Sequence, residues 1–233
     1  MSEFINGFKC VECSHCFKRS PLFTLLKENE LESLDKGRME VSFKEGEIIY
    51  KQGTPLTHIV IIHDGLGKIF IEGSKGRNLI LNYTKEYDLN GGVGVFIDQR
   101  HHSSLMAVTD CGACFIDINA FKAVLRTNPT FMEAYIKDYS LRVLHTYQQF
   151  SVLTQKNMEG RMAESILYLK NQIFKNGSIK NVSKQDLAEL TAMTKESAIR
   201  VLKEFKEDGL IEIVDQKINI LNQKALEQVA RHG

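Results

Sequence analysis

Three cysteines and a histidine crowd into the first part of the chain. They form the run Cys10-Val11-Glu12-Cys13-Ser14-His15-Cys16. Because two residues separate each cysteine from the next, short turns can bring the three sulfurs toward one centre. Thiolates are the soft ligands that zinc and iron–sulfur clusters prefer. Three cysteines are one short of a full set, and a distant cysteine completes it better than His15 does. The alternative interpretation is a reduced N-terminal segment without metal.

Two further cysteines, Cys111 and Cys114, are also separated by two residues. This spacing is typical of a redox pair or half a metal site. The alternative is a pair of small apolar residues in a strand, a role that suits cysteine well. Thiol chemistry here is the one enzymatic hypothesis that remains. The chain has no nucleophile with an adjacent base, no Gly-Lys phosphate loop and no carboxylate pair framed by a motif. We therefore predict that the protein is not an enzyme.

A different chemistry is indicated near the C-terminus, where Glu196 and Arg200 lie four residues apart on a predicted helix. Arginine donates to the N7 and O6 atoms of guanine, and glutamate accepts from the N4 amine of cytosine. The alternative is an ordinary surface salt bridge between the two side chains, which contributes little. The predicted DNA-contacting residues are Lys195, Glu196, Ser197, Ile199, Arg200 and Lys203.

The elements around this pair predict a helix, a tight turn, a second helix and a wing. The first helix covers 184–190 behind the N-cap Ser183. The second begins at Thr194 and ends at Asp208-Gly209. Two short strands follow, at 211–213 and 217–221. The apolar positions of the second helix, which we expect to face inward, are Ala198, Val201, Leu202 and Phe205.

The middle of the chain has two patterns. From Met39 to about Phe115, short β-rich runs alternate with glycine-containing turns, which predicts a small barrel or sandwich. A long helix is predicted from Thr130 to Asn157. Its apolar seam, which needs either a partner helix or the chain's own sheet, is Met132, Ile136, Tyr139, Val143, Thr146, Phe150, Leu153 and Asn157.

The C-terminal segment resembles the winged helix-turn-helix of the Crp/Fnr transcription regulators, and the glycine-rich segment resembles the family's cyclic-nucleotide-binding β-roll. The resemblance implies an α+β fold with an N-terminal double-stranded β-helix, a long dimerisation helix and a C-terminal winged helix-turn-helix. The implied domains are 1–20, 21–129, 130–158 and 159–233. The implied partners are double-stranded DNA, a second copy of the chain and RNA polymerase.

The family pattern also locates an effector pocket at Gly91, Gly92, His102 and Ser103. In relatives that bind cyclic AMP, a glutamate accepts from the ribose hydroxyl and an arginine neutralises the phosphate. Here Gly92 replaces that glutamate and His102 replaces that arginine. We therefore expect that this chain does not bind cyclic AMP in the family's usual way.

The oxygen-sensing Fnr branch of the family has clustered N-terminal cysteines and a fourth cysteine in the β-roll. The resemblance implies a [4Fe–4S] cluster held by Cys10, Cys13, Cys16 and Cys114. The last N-terminal gap is shorter here than in that branch. Haem or a small organic effector is the rival interpretation.

Bulk properties agree with a protein that folds in water. The net charge is +1, so any DNA binding must come from a local patch. The sequence has neither a membrane-spanning run nor a signal-peptide pattern, and we expect a cytoplasmic protein with no membrane partner. The rival to a DNA-binding regulator is a cyclic-nucleotide-binding-like module that acts on a partner protein.

Overall fold

The computed structural model describes residues 20–175 and 177–233, apart from the side chain of Lys75. Cys10, Cys13 and Cys16 therefore lie outside the described residues. The chain divides into two compact units. Of the described residues, one unit comprises those up to Ile69 together with Thr84–Arg142, and the other comprises those of Phe70–Tyr83 and Val143–Gly233.

The first half of the chain forms two antiparallel sheets. A 3₁₀ turn at Pro21–Leu25 and helix α1 (Glu28–Asp35) precede the strands. One sheet has the order β1-β8-β3-β6 and the other the order β2-β7-β4-β5, which agrees with the predicted β-roll. The strands are β1 (Met39–Phe43), β2 (Ile48–Tyr50), β3 (His58–Asp64), β4 (Gly67–Ile71), β5 (Leu79–Thr84), β6 (Leu89–Asn90), β7 (Ser104–Ala107) and β8 (Cys111–Asp117).

Side-chain alternation along the strands produces two apolar cores. On β8, Cys111 and Ala113 face the interior of the roll and pack with residues such as Ile62 and Leu105. Ile116, on the opposite face of β8, packs in a second core with the residues around α1 and the helices after β8. One face of the β1-β8-β3-β6 sheet is therefore covered by helices, and the 3₁₀ turn at Pro21–Leu25 belongs to this layer.

Two helices follow β8. Helix α2 (Ile118–Thr127) begins where Asp117 accepts hydrogen bonds from the backbone of Asn119 and Ala120. Helix α3 runs over Pro129–Gln155, close to the predicted range. Its N-terminal turns bury Phe131 and Tyr135, and the rest is largely exposed.

An exposed apolar stripe runs along α3, and we call Ile136, Val143, Tyr147 and Phe150 the α3 stripe. Ile136, Tyr147 and Phe150 are 54%, 68% and 69% exposed. The predicted seam had Thr146 between Val143 and Phe150. In the structure, the large apolar side chain between these two residues on this face is Tyr147. A straight helix has 3.6 residues per turn and drifts away from a strict 3.5-residue repeat.

The C-terminal region contains four helices and a hairpin. Helix α4 (Met158–Tyr168) begins where the Asn157 side chain caps it by accepting from the Gly160 backbone. A short π-helical segment continues it through Ile173. The remaining elements are α5 (Lys184–Leu190), α6 (Lys195–Glu207), β9 (Ile211–Val214), β10 (Lys217–Ile220) and α7 (Gln223–His232). Within the described part of the chain, every helix is too short or too polar to cross a membrane.

Candidate nucleic-acid interface and sensor sites

Local hydrogen bonds define both the start of α5 and the turn between α5 and α6. The Ser183 hydroxyl accepts from the Asp186 backbone at 3.0 Å, and the Asp186 carboxylate accepts from the Ser183 backbone at 2.9 Å. This capping box fixes the start of α5. At the other end, Ala192 has φ +52°, and the Met193 backbone donates to the Ala188 carbonyl at 2.9 Å. The turn therefore sets the direction in which α6 leaves.

Helix α6 has one buried face and one exposed face. The predicted inward residues Ala198, Val201, Leu202 and Phe205 are all buried. Thr194 caps the helix by accepting from the Ser197 backbone, which confirms the predicted start. Of the predicted DNA-contacting residues, Lys195, Glu196, Ile199, Arg200 and Lys203 are exposed, and Ser197 is partly exposed. The fold therefore presents the whole predicted set to solvent along one helix.

Glu196 and Arg200 do not pair with each other in the structure. The closest carboxylate oxygen to Arg200 belongs to Glu204, at 3.9 Å from Nε, and its Nη2 lies 3.8 Å from the Met158 sulfur. The pKa of Glu196 is lowered because its own backbone N–H and the Thr194 hydroxyl donate to the carboxylate. Exposed pairs such as Arg200–Glu204 contribute about 0–1 kcal/mol, so either charge can exchange partners at little cost.

The wing is a two-residue hairpin. Strands β9 and β10 pair antiparallel, with Val214 opposite Lys217. Asp215 and Gln216 both have positive φ, at +49° and +61°. Two positive φ values in succession define a type I′ turn, whose twist matches that of the flanking strands. The hairpin predicted around Asp215-Gln216 is confirmed.

The predicted effector residues differ in burial: Gly91 is buried, Gly92 and His102 are exposed, and Ser103 is partly exposed. Gly92 has φ +69° and ψ −177°, a backbone conformation that is essentially restricted to glycine. A glutamate at this position would be strained, so the backbone as well as the side chain departs from the cyclic AMP pattern. His102 is exposed, and its Nε2 lies 3.1 Å from Asp98 Oδ1. Gly91 is buried, and a Cβ there would come within 2.7 Å of Ile59.

An apolar cavity lies on one side of the Gly92 segment. Its volume is about 330 Å³. Of the four predicted effector residues, Gly92 alone borders it, and the walls otherwise come from α2, α3 and the segment after Gly92. The lining residues are Gly92, Val93, Phe96, Ile97, Leu125, Met132, Tyr135, Ile136 and Tyr139. Because none of these side chains is charged, the cavity is unsuited to a phosphate.

Cys111 and Cys114 lie on opposite faces of β8, which weakens the hypothesis of a redox pair. Residues three apart on a strand point in opposite directions. Cys111 is 4% exposed, its thiol donates to the Leu66 carbonyl, and burial raises the pKa of this thiol. A buried thiol with a raised pKa is a poor nucleophile.

Cys114 fits a ligand role better. It is half-buried on the outer face of β8, and Arg38 Nη1 lies 3.7 Å from its sulfur. Arg38 Nε also lies 2.7 Å from Oδ1 of Asp35, the last residue of α1. Arg38 therefore contacts both α1 and the Cys114 thiol. The chain ahead of α1 contains the other three candidate ligands. Within residues 20–175 and 177–233, no group of three or more His, Cys, Asp or Glu side chains forms a metal site.

Two family comparisons match separate parts of the chain. The family described as "Cyclic nucleotide-binding domain" matches residues 40–128. The family described as "Crp-like helix-turn-helix domain" matches residues 160–229. The first range contains the β-roll and α2, and the second contains α5, α6 and the wing.

Similar proteins match most of the length of the chain. The chain is 28% identical over 227 residues to the Electron transport regulator A of Shewanella oneidensis, covering 95% of this chain and 90% of that protein. It is 22% identical over 218 residues to a CRP-like cAMP-activated global transcriptional regulator of Mycobacterium tuberculosis, covering 91% and 97%. The structure of FixK2 from Bradyrhizobium japonicum superimposes with a TM-score of 0.75 at 17% identity, covering 82% and 96%. At this identity, the similarity to FixK2 is a similarity of fold.

Proposed function

Because the chain belongs to the Crp/Fnr family of DNA-binding transcription regulators, we propose that it acts as a homodimer that reads a palindromic operator with α6. Lys195, Glu196 and Arg200 contact base edges, with Ile199 beside them, and Ser197 and Lys203 lie nearer the phosphates. The observation that carries this assignment is the exposure of these residues on the outer face of a helix whose opposite face is buried. RNA polymerase is the expected further partner by family resemblance.

The Arg200→Ala variant is expected to lose about 1–3 kcal/mol of operator binding, because a bidentate contact to guanine is removed. In the wild type, the free energy of this contact exceeds that of the weak exposed pair with Glu204, which the arginine loses when it binds DNA. The measurement is a fluorescence-anisotropy titration of DNA selected by the wild-type chain from a random-sequence pool.

Lys206→Ala is the matched control for Arg200→Ala, because Lys206 is an exposed cation in the last turn of the same helix. We expect it to change affinity equally for specific and random DNA, and only slightly. An Arg200→Ala protein that keeps wild-type affinity for the selected operator would exclude the proposed role of α6.

The dimer is proposed to form through the α3 stripe. Three large apolar side chains of this stripe are more than half exposed to water. Packing against a second helix would remove the free-energy cost of this exposure. A two-fold axis along α3 would relate two copies of α6. Paired recognition helices about 34 Å apart can read successive major grooves on one face of DNA.

Cyclic AMP is a poor candidate for the signal. The glycine-restricted backbone at Gly92 and the exposed His102 leave the ribose and phosphate without their usual partners. The Mycobacterium tuberculosis relative is described as cAMP-activated, but that property does not extend to a chain lacking both charged residues. The signal is therefore proposed to be redox or oxygen, and otherwise a small effector other than cyclic AMP.

We propose that Cys10, Cys13, Cys16 and Cys114 hold a [4Fe–4S] cluster. The position of Cys114 on the sheet face where Arg38, paired with Asp35 of α1, lies beside its sulfur supports this ligand set. Such a cluster supplies a redox centre. The name of the Shewanella oneidensis relative, an electron transport regulator, is compatible with a redox signal.

Iron and acid-labile sulfide analysis of anaerobically purified protein tests the cluster. We expect about four of each per chain, with a brown colour that air bleaches. The Cys114→Ser variant is expected to lose most of the iron. Cys111→Ser is the matched control on the same strand, and it should retain the iron because Cys111 faces the interior of the roll. A colourless, iron-free wild-type protein that still binds its operator would exclude the cluster and favour a small effector.

A further inference from the structure

A methionine sulfur lies beside the guanidinium group of Arg200. Met158 is the first residue of α4, and its sulfur is 3.8 Å from Arg200 Nη2. Both residues belong to the compact unit that contains Val143–Gly233. A thioether sulfur is a weak hydrogen-bond acceptor. The guanidinium can therefore leave this contact for a base edge at little cost.

The packing of α4 against α6 produces this contact. The Asn157 cap fixes the start of α4 and thereby the position of Met158. One turn further along α4, Met162 is fully buried, whereas Met158 is partly exposed at the edge of the same helix. The side chain of Arg200 is 58% exposed on the outer face of α6. The sulfur therefore lies where both the DNA-reading arginine and a dissolved oxidant reach it.

Oxidation changes the acceptor strength of this side chain. Hydrogen peroxide transfers one oxygen atom to a thioether sulfur; the sulfur loses two electrons, and the rest of the peroxide leaves as water. The sulfoxide oxygen of the product is a far stronger acceptor than the thioether sulfur. Hydrogen bonds that a charged guanidinium donates are about twice as strong as those between neutral groups. An oxidised Met158 would therefore compete with guanine for Arg200.

We propose that Met158 is a site of reversible oxidation, and that its sulfoxide lowers operator affinity by holding Arg200 on α4. This inference rests on the proposed function of α6, because the capture of Arg200 matters only if Arg200 contacts bases. The oxidant is a peroxide, and methionine sulfoxide reductases return the thioether. The modification acts at the DNA-reading helix itself and is chemically separate from the proposed cluster.

Two variants of the full chain separate the effect of the oxygen atom from the loss of the sulfur. Met158→Gln places an amide oxygen in a side chain of similar length. It is expected to weaken operator binding about tenfold, or about 1.4 kcal/mol, because Arg200 must break a charge-assisted hydrogen bond before it meets guanine. Met158→Leu cannot be oxidised, and we expect it to bind like the wild type. The measurement is the fluorescence-anisotropy titration used for Arg200→Ala.

The Arg200→Ala background tests whether the effect passes through the guanidinium. In that background Met158→Gln should no longer weaken binding, because the group that its oxygen would hold is absent. An equal loss in both backgrounds would show a disturbed start of α4; it would overturn this inference and leave the proposed role of α6 standing. Unchanged operator affinity in Arg200→Ala alone would overturn the proposed function, and this inference with it.

Peroxide treatment tests the modification itself. Met39→Leu is the matched control, because Met39 is 47% exposed on β1, in the other compact unit. We expect treated wild type and treated Met39→Leu to lose affinity about tenfold more than treated Met158→Leu, and to regain this difference with methionine sulfoxide reductase. Peptide mass spectrometry locates the added oxygen. An unmodified Met158 in treated protein, or an equal loss of affinity in Met158→Leu and wild type, would overturn the inference.

Discussion

Replacing Phe150 with lysine is expected to separate the dimer into monomers and to weaken operator binding by about 100-fold or more. Phe150 is 69% exposed in the α3 stripe, so the substitution does not disturb the core of a single chain. In a dimer, however, it places two lysines across a two-fold axis. A monomer meets one half-site and loses the effective concentration that the second recognition helix provides.

Sedimentation velocity and DNA titration of the same protein samples measure both effects. Gln148→Lys introduces the same charge on an exposed position of α3 away from the stripe, and we expect it to remain dimeric. A Phe150→Lys protein that stays dimeric would show that the α3 stripe is not the dimer interface. Monomers that keep wild-type operator affinity would contradict the role of the dimer in DNA reading.

Replacing Phe131 with alanine is expected to cost about 3–5 kcal/mol of unfolding free energy, the range found for buried aromatic residues. Phe131 is fully buried, and its ring centroid lies 6.0 Å from that of Phe23 and 5.8 Å from that of Phe121. The truncation removes these contacts and leaves a cavity between the 3₁₀ turn at Pro21–Leu25, α2 and α3.

Urea unfolding followed by circular dichroism measures this loss, since the chain has no tryptophan for fluorescence. Leu25→Ala is the control in the same 3₁₀ turn. Leu25 is 41% exposed, so we expect its truncation to cost well under half as much. Equal midpoints for wild type and Phe131→Ala would contradict the placement of Phe131 at the centre of this core.

The family resemblance and the C-terminal elements were predictable because their signals are local. The buried face of α6 follows from helical periodicity, and its two ends follow from Thr194 and Gly209, whose roles as cap and terminator depend on the nearest backbone groups. The wing required only two short apolar runs around Asp215-Gln216. Helices α2 and α7 were missed, although Asp117 and Asn222 cap them with side-chain hydrogen bonds and these residue types were visible signals.

From the sequence alone, residue type and spacing predicted the helix-turn-helix and a small barrel or sandwich, and the resemblance to the Crp/Fnr family implied the β-roll and the loss of the charges that hold cyclic AMP. Tertiary structure decided which side chains share a surface. It placed Cys111 and Cys114 on opposite faces of β8, and it brought Phe96 and Ile97 to the same cavity as Ile136. These relations depend on strand register and on how α3 packs, which are set by contacts between residues far apart in the chain.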